Sequence, residues 1–328
     1  MKGLQQLIKR RETTLAIIIV MFMILISFRY PRFASPENIY DVLNDTAVLI
    51  LAATAQFLIL LTGGIDLSIS SIMALVGMLV SMLNMQLPDL PIPLVLLITL
   101  ILGFVFGSIN GLLVGFLRIP PIITTLGTIA IFRALVFLVS GGQWVSAHEM
   151  SALFESIPHR PFLGISGILL FTAIAIILVG LFINYTQKGR AIYAVGGNRL
   201  AARLAGISGS KIDFMVFSFS GVLSGLAGLL YVTRYAAAQT DTAVGYEFQA
   251  VAACVIGGVS VLGGSGTISG VLLGSFFLGL LYNALTVINL SPFYQIAIQG
   301  AAILVAIVAN TIVNQRNQQK MLAKRSLI

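Results

Sequence analysis

The chain has 328 residues, 58% of them hydrophobic and only 9% charged, with a mean hydropathy of +1.02. Soluble domains carry roughly 25% charged residues, so a soluble globular enzyme is excluded and a polytopic membrane protein is indicated. The net charge of +8 does not argue for nucleic acid: thirteen of the 19 Lys and Arg are gathered at the two ends and in one central loop, the positive-inside signature of topology rather than a binding stripe.

Lys2, Lys9, Arg10 and Arg11 precede a first apolar run, about 14–28. No small-residue cleavage site follows it, so it reads as an uncleaved span. Further spans are expected at about 41–62, 66–84, 94–117, 122–140 and 165–184. Gly63-Gly64, a Pro-rich MQLPDLPIP and Arg118 with Pro120-Pro121 separate the first of these. After the central loop come spans at about 214–233, 248–262, 267–287 and 293–313, and then Arg316, Lys320, Lys324 and Arg325. The expectation is an all-α membrane protein of about ten transmembrane helices. Six spans before the basic loop and four after it put that loop and both termini on the cytoplasmic side, in agreement with the charge rule. One transmembrane domain, 1–328, divides into a first half 1–184, a loop 185–213 and a second half 214–328. LLTGGIDLSISSIMALVG and CVIGGVSVLGGSGTISGVLLG echo each other faintly: an apolar run, a Gly-Gly break, small polar residues, another apolar run. Paired interrupted spans in two halves are a sequence hint of a transporter.

The loop itself, YTQKGRAIYAVGGNRLAARLAGISGSKID, holds Lys188, Arg190, Arg199, Arg203 and Lys211 against one acid, Asp213. Asn198 suits an N-cap, RLAARLA is built of strong helix formers, and Gly206 suits the left-handed position after the end. The spacing predicts a two-turn helix, too short to stand alone in water. It puts Arg199 and Arg203 on one repulsive face, and Leu200 and Leu204 on another. Such a helix lies against something: anionic lipid, or a soluble partner for which it is a docking element.

Few residues are suited to chemistry. Asp66 in GGIDLS is either the cap of the third span or, with Ser68, a polar group on a path. Arg133, deep in an apolar run, needs a carboxylate, carbonyls or water beside it, because an arginine at mid-bilayer costs roughly 2.5–3.5 kcal/mol; Asn110 and Asp66 are candidate partners. His148 beside Glu149 lacks further ligands at metal spacing, and Trp144 with them reads as an interfacial anchor or a partner contact. The single Cys254 reads as a buried apolar residue. GGSGTISG lacks the lysine of a phosphate loop and reads as close helix packing. No apparatus for using ATP is present in the sequence.

GGIDLS at 63–68, Asn110-Gly111, IPPIITTLGT at 119–128, GRAIYAVGGNRLAARLAGI at 189–207 and VAACVIGGVSVLGGSGTISG at 251–270 together resemble the permease subunits of bacterial sugar ABC importers, the ribose/xylose/autoinducer-2 group. The resemblance covers essentially the whole chain. It departs at Ala134, where the family often has Arg-Gly after TLGT, and a local packing difference is expected there. FASPENI, NDT at 44–46, GGQWVSAHEMS, RYAAAQTD and NLSPFYQIAIQGAA look closest to the rhamnose-type permeases.

The resemblance implies a multi-pass protein of the bacterial cytoplasmic membrane that is not itself an enzyme. Its partners are an ABC ATPase carrying ATP and Mg, an extracytoplasmic sugar-binding protein, and a second permease, identical or homologous. No cofactor and no nucleic acid are expected on this chain. The implied ATPase-coupling segment contains Gly189, Arg190, Gly196, Asn198, Arg199, Ala201, Ala202, Arg203 and Gly206. Asp66, Ser68, Asn110, Thr124 and Arg133 are candidates for the translocation path. The rival readings are a ribose, autoinducer-2 or other sugar permease of the same family, an ion-coupled secondary transporter using Asp66 and Arg133, and a non-transporting scaffold or receptor.

Overall fold

A computed structural model describes residues 11–308 apart from 163, 292, 303, 306 and 307. Lys2, Lys9, Arg10, Arg316, Lys320, Lys324 and Arg325, and the end of the tenth expected span, lie outside the described residues. The chain is helical almost throughout: α1 Arg11–Ser27, α2 Pro36–Leu61, α3 Ile69–Gln86, α4 Ile92–Gly111 and α5 Pro121–Ser140. After a short α6, Ala152–Glu155, come α7 Gly167–Tyr185, α8 Gln187–Gly197, α9 Arg199–Leu204, α10 Gly209–Tyr235, α11 Tyr246–Ile256 and α12 Ile268–Val287. Helical residues resume at 293. The elements fall where the apolar runs place them, except that the span expected at about 248–262 is helical only over Tyr246–Ile256, because the Gly-rich stretch after it turns the chain early. By length and composition, α2, α3, α4 (extended by a π turn to Phe116), α5, α7, α10 and α12 suffice to cross a membrane, while α1 and α11 are shorter apolar helices.

The helices sort into an inner set and an outer set. Helices α2, α3 and α10 are buried over most of their length, and they carry small and polar residues such as Thr54, Ser71, Ser220 and Ser224 on buried faces. Helices α4, α5 and α7 are more apolar and largely exposed, as lipid-facing helices must be. Helix α10 packs along α4 and also touches α2 and α3. Its approach to α4 depends on glycines spaced by four: a Cβ at Gly103 or Gly107 would stand 2.4 Å from the carbonyl of Gly221 or Phe217. Backbones meet there because no side chain intervenes.

At one end the loops are knit together. Two-residue strands β1, Val145–Ser146, and β2, Ala237–Ala238, pair antiparallel, and Arg234 forms an ion pair with Asp45. Glu149 accepts from the Ser146 backbone N–H at 2.9 Å within a capping box, so its role is local. Trp144 is exposed, and among the described residues no group of His, Cys, Asp and Glu is placed to hold a metal. Cys254 is fully buried and donates to the Ala53 carbonyl at 3.1 Å.

Candidate functional site: the basic foot and the glycine junction

The loop after α7 folds into two helices. Thr186 caps α8 by accepting from the Gly189 N–H at 3.0 Å. Gly189 allows the tight turn, because a Cβ there would lie 2.2 Å from the Ile183 carbonyl. Ile192 and Val195 bury the inner face of α8 while Arg190 stays exposed. Asn198 then caps α9, accepting from the Ala201 N–H at 2.9 Å, and Gly206 ends the foot at φ +79°. Ala202 is buried, whereas Leu200, Arg203 and Leu204 point outward.

The two arginines expected on one repulsive face are in fact divided. Arg199 reaches back with both guanidinium nitrogens to Asp213, at 2.7 and 3.0 Å, and donates to the Thr62 carbonyl at 3.3 Å. Asp213, the lone acid of the basic segment, has a side chain only 5% exposed. A fork-to-carboxylate pair of this kind fixes direction as well as distance. Arg199 therefore ties α9 to the start of α10 and the end of α2, and Arg203 alone remains free to face outward. Beside them opens a cleft of about 1010 Å³ bordered by Arg118, Asn198, Leu200, Arg203, Ser210 and Leu262.

Beneath the foot, three Gly-Gly pairs that are far apart in sequence come together. Gly196 of α8 faces the end of α2 so closely that a Cβ would stand 1.8 Å from the Leu61 carbonyl and 2.7 Å from the Gly264 nitrogen. The Gly264 N–H donates to that same Leu61 carbonyl at 3.0 Å. Gly63 (φ +81°) and Gly263 (φ +92°) face each other across the two breaks. Tyr193 adds a clasp, donating to the Gly266 carbonyl at 2.9 Å; burial pushes its hydroxyl above the usual range, so it stays a donor. The foot thus rests on the α2–α3 break and the α11–α12 break at once. The echo between the two halves of the sequence corresponds to one contact in space.

Just past the first break, polar groups close on one another. The Asp66 carboxylate accepts from the Ser68 N–H at 2.8 Å and from its hydroxyl at 2.6 Å. Asn110, from the end of α4, donates to Ser68 at 2.7 Å. With its amide turned to satisfy both groups, Gln56 brackets the Asp66 backbone at 2.9 and 3.3 Å. Asp66, Ser68 and Asn110 are all buried. Asp66 is not the cap of α3: Ser68 stands at that position, and Asp66 holds Ser68 rather than the first-turn amides. Among the described residues, Asn110 Oδ1 and Thr124 Oγ1 are buried without partners, leaving unused hydrogen-bonding capacity in this layer.

Arg133 does not join this cluster. Its guanidinium donates to the carbonyls of Thr242 and Thr240, at 2.7 and 3.3 Å, in the loop after β2. The reason is axial distance. Thr125 of α5 is level with the break, its hydroxyl 3.4 Å from the Ile65 carbonyl. Arg133 follows eight residues later, about 12 Å further along the helix. Five path candidates therefore occupy two levels, and Asp66 and Asn110 are not the partners of Arg133. Sequence reasoning missed Gln56, Thr62, Tyr193 and the use of Asp213. Only Asp213 carried a signal, as a single acid among five cations.

The family described as "Branched-chain amino acid transport system / permease component" matches residues 38–307. The ribose import permease protein of Haemophilus influenzae is 35% identical over 296 residues, 90% of this chain and 91% of its own length. The autoinducer 2 import system permease protein of Salmonella typhi is 34% identical over 295 residues, covering 90% of this chain and 84% of its own. Its Escherichia coli counterpart is 33% identical over 298 residues, or 91% and 86%. No solved structure matches.

Proposed function

The chain belongs to this permease family, as a multi-pass cytoplasmic-membrane permease of the sugar ABC importer kind, and on that footing we propose that it forms the membrane path of an importer whose cargo is a rhamnose-type monosaccharide. An ATPase dimer grips the foot from the cytoplasm, where both termini also lie. A sugar-binding protein delivers from outside, and a second permease completes the path. The observation that carries the reading is the division of the foot into two faces. Leu200, Arg203 and Leu204 are presented outward from a capped helix, while Arg199 and Gly196 fasten that helix to both interrupted spans. An element with one face for a partner and the other locked to the spans suits a lever.

In operation, closure of the ATPases displaces α9. Because Arg199 and the glycine junction make foot and breaks one body, the displacement enters α2–α3 and α11–α12 directly, in addition to α7 and α10 at the ends of the loop. The Asp66–Ser68–Asn110 cluster lies at the first of these breaks, so its hydrogen bonds are the first to be rearranged. Rearrangement exposes the polar layer to the path, where hydroxyls and amides offer a sugar weak, exchangeable bonds while the binding protein supplies affinity.

Two measurements test this. Arg203→Glu combined with Leu204→Asp is expected to abolish co-purification of the ATPase while the permease stays folded; full recovery of the ATPase refutes the docking face. Uptake into vesicles with the complete importer is expected to favour labelled rhamnose over ribose and autoinducer-2, and the reverse order reassigns the cargo within the family.

A further inference from the structure

The end of α1 carries a feature unrelated to the foot. Residues between 29 and 41, with Val287 of α12, line a cup of about 660 Å³ that carries Arg29, Arg32, Glu37 and Asp41. All four side chains are exposed, and none joins an ion pair among the described residues, where the two pairs are Arg199–Asp213 and Arg234–Asp45. Two cations and two carboxylates thus share one concavity without neutralising each other. The backbone that carries them is fixed. Phe33 is an almost fully buried anchor, Pro31 and Pro36 open their helices, Ser35 caps α2 by accepting from the Asn38 N–H, and the Asn38 amide donates to the Phe33 carbonyl at 2.8 Å and to Asn283 at 3.1 Å. A largely apolar groove of about 400 Å³ adjoins the cup, lined by Val20, Met23, Ile24, Ser27, Phe28 and Ala34. The groove runs along α1 into the depth that hydrocarbon occupies, while the cup sits at the helix end, the level of headgroups.

We propose that cup and groove form a binding site for a zwitterionic aminophospholipid, with the phosphate at Arg29 and Arg32, the ammonium at Glu37 and Asp41, and one acyl chain along α1. Charge complementarity selects this occupant. Arginine forks suit a phosphate. The carboxylates repel a purely anionic headgroup and attract an ammonium, so the summed charge of the cup matches the summed charge of the lipid. Solitary interfacial arginines merely extend toward water; here carboxylates of opposite sign share the same rigid concavity.

The delipidated full-length protein in detergent is titrated with phosphatidylethanolamine, phosphatidylglycerol or free phosphoethanolamine, and bound lipid is counted by native mass spectrometry. Phosphatidylethanolamine is expected to bind at least about fivefold more tightly than phosphatidylglycerol, a difference of about 1 kcal/mol, and free phosphoethanolamine is expected not to compete. Arg29→Ala with Arg32→Ala loses that binding. Glu37→Gln with Asp41→Asn retains lipid and reverses the preference toward phosphatidylglycerol. Equal binding of the two lipids to the unaltered protein overturns the proposal, as does an unchanged preference in both double variants with an unchanged unfolding midpoint. Loss of uptake in the arginine variant with its lipid binding intact also overturns it and assigns the cup to a protein partner.

Discussion

Gly196 and Gly197 are neighbours of the same type at the end of α8, yet the structure separates them sharply. A Cβ on Gly196 meets the Leu61 carbonyl oxygen at 1.8 Å and the Gly264 nitrogen at 2.7 Å, whereas a Cβ on Gly197 meets nothing within 4 Å. The obstacles at 196 are backbone atoms, which have no rotamer to yield. Restoring ordinary contact of ~3.5 Å requires the foot to lift from the α2 end by roughly 1.7 Å. That displacement strains the Tyr193–Gly266 and Arg199–Thr62 hydrogen bonds, which tie the foot to the two breaks. Forced insertion of this kind costs about 1–3 kcal/mol. Gly196→Ala is therefore expected to lower the thermal midpoint in detergent and to uncouple the importer, so that ATP hydrolysis continues in the reconstituted complex while uptake falls. Gly197→Ala, which gains helix propensity, is expected to match the unaltered protein in both assays. Equal behaviour of the two variants, with full uptake in each, refutes the idea that force passes through the glycine junction.

Arg199→Glu is expected to destabilise the protein by about 1–2 kcal/mol, because a second carboxylate then faces nearly buried Asp213; the half-exposed arginine keeps the value below that of a fully buried pair. Thermal unfolding of Arg199→Glu beside Arg203→Glu checks it, the latter being expected to change ATPase recovery and leave stability intact. Asp66→Ala strands the Ser68 amide and hydroxyl and is expected to cost about 1–3 kcal/mol, whereas Asp66→Asn keeps an acceptor oxygen and is expected to retain most of the midpoint. Arg133→Ala frees the Thr240 and Thr242 carbonyls, and faster cleavage of residues 239–245 by an added protease, with little change in midpoint, is the outcome that limited proteolysis should show.

The sequence made the helices legible because hydrocarbon demands long apolar runs and loops interrupt them with Pro, Gly and charge. The foot was equally legible: Asn198, the RLAARL core and Gly206 are local signals, and α9 begins and ends where they say. What lay beyond reach was everything set by the third dimension. The i, i+4 rule placed Arg199 and Arg203 together, since it describes a helix in water; Asp213 and the Thr62 carbonyl turn Arg199 the other way. Arg133 finds carbonyls, one of the partner types its position demands, but not Asn110 or Asp66, because polar residues singled out in an apolar sequence need not share its level along a membrane normal. In the sequence Gln56 is a polar residue within an apolar run, and only the break beside it gives its amide a purpose.

The separation of Asp66 from Arg133 also bears on how the protein is driven. An ion-coupled carrier needs its charges to exchange partners as the path alternates, so that binding of the ion biases one state. Here Arg133 is engaged with backbone carbonyls at one level, and Asp66 with a serine and its amide at another. Neither bond responds to the other. The foot, by contrast, is continuous with both breaks through Arg199, Gly196 and Tyr193. A push on α9 reaches Asp66 across two or three contacts, while an ion at Arg133 would act on one outer loop. Collapse of the ion gradient with ATP maintained is therefore expected to leave uptake unchanged in vesicles, and depletion of ATP with the gradient maintained is expected to abolish it. Uptake that follows the gradient instead would mean that the junction is only a packing device and that the two charged levels communicate by a route these contacts do not contain.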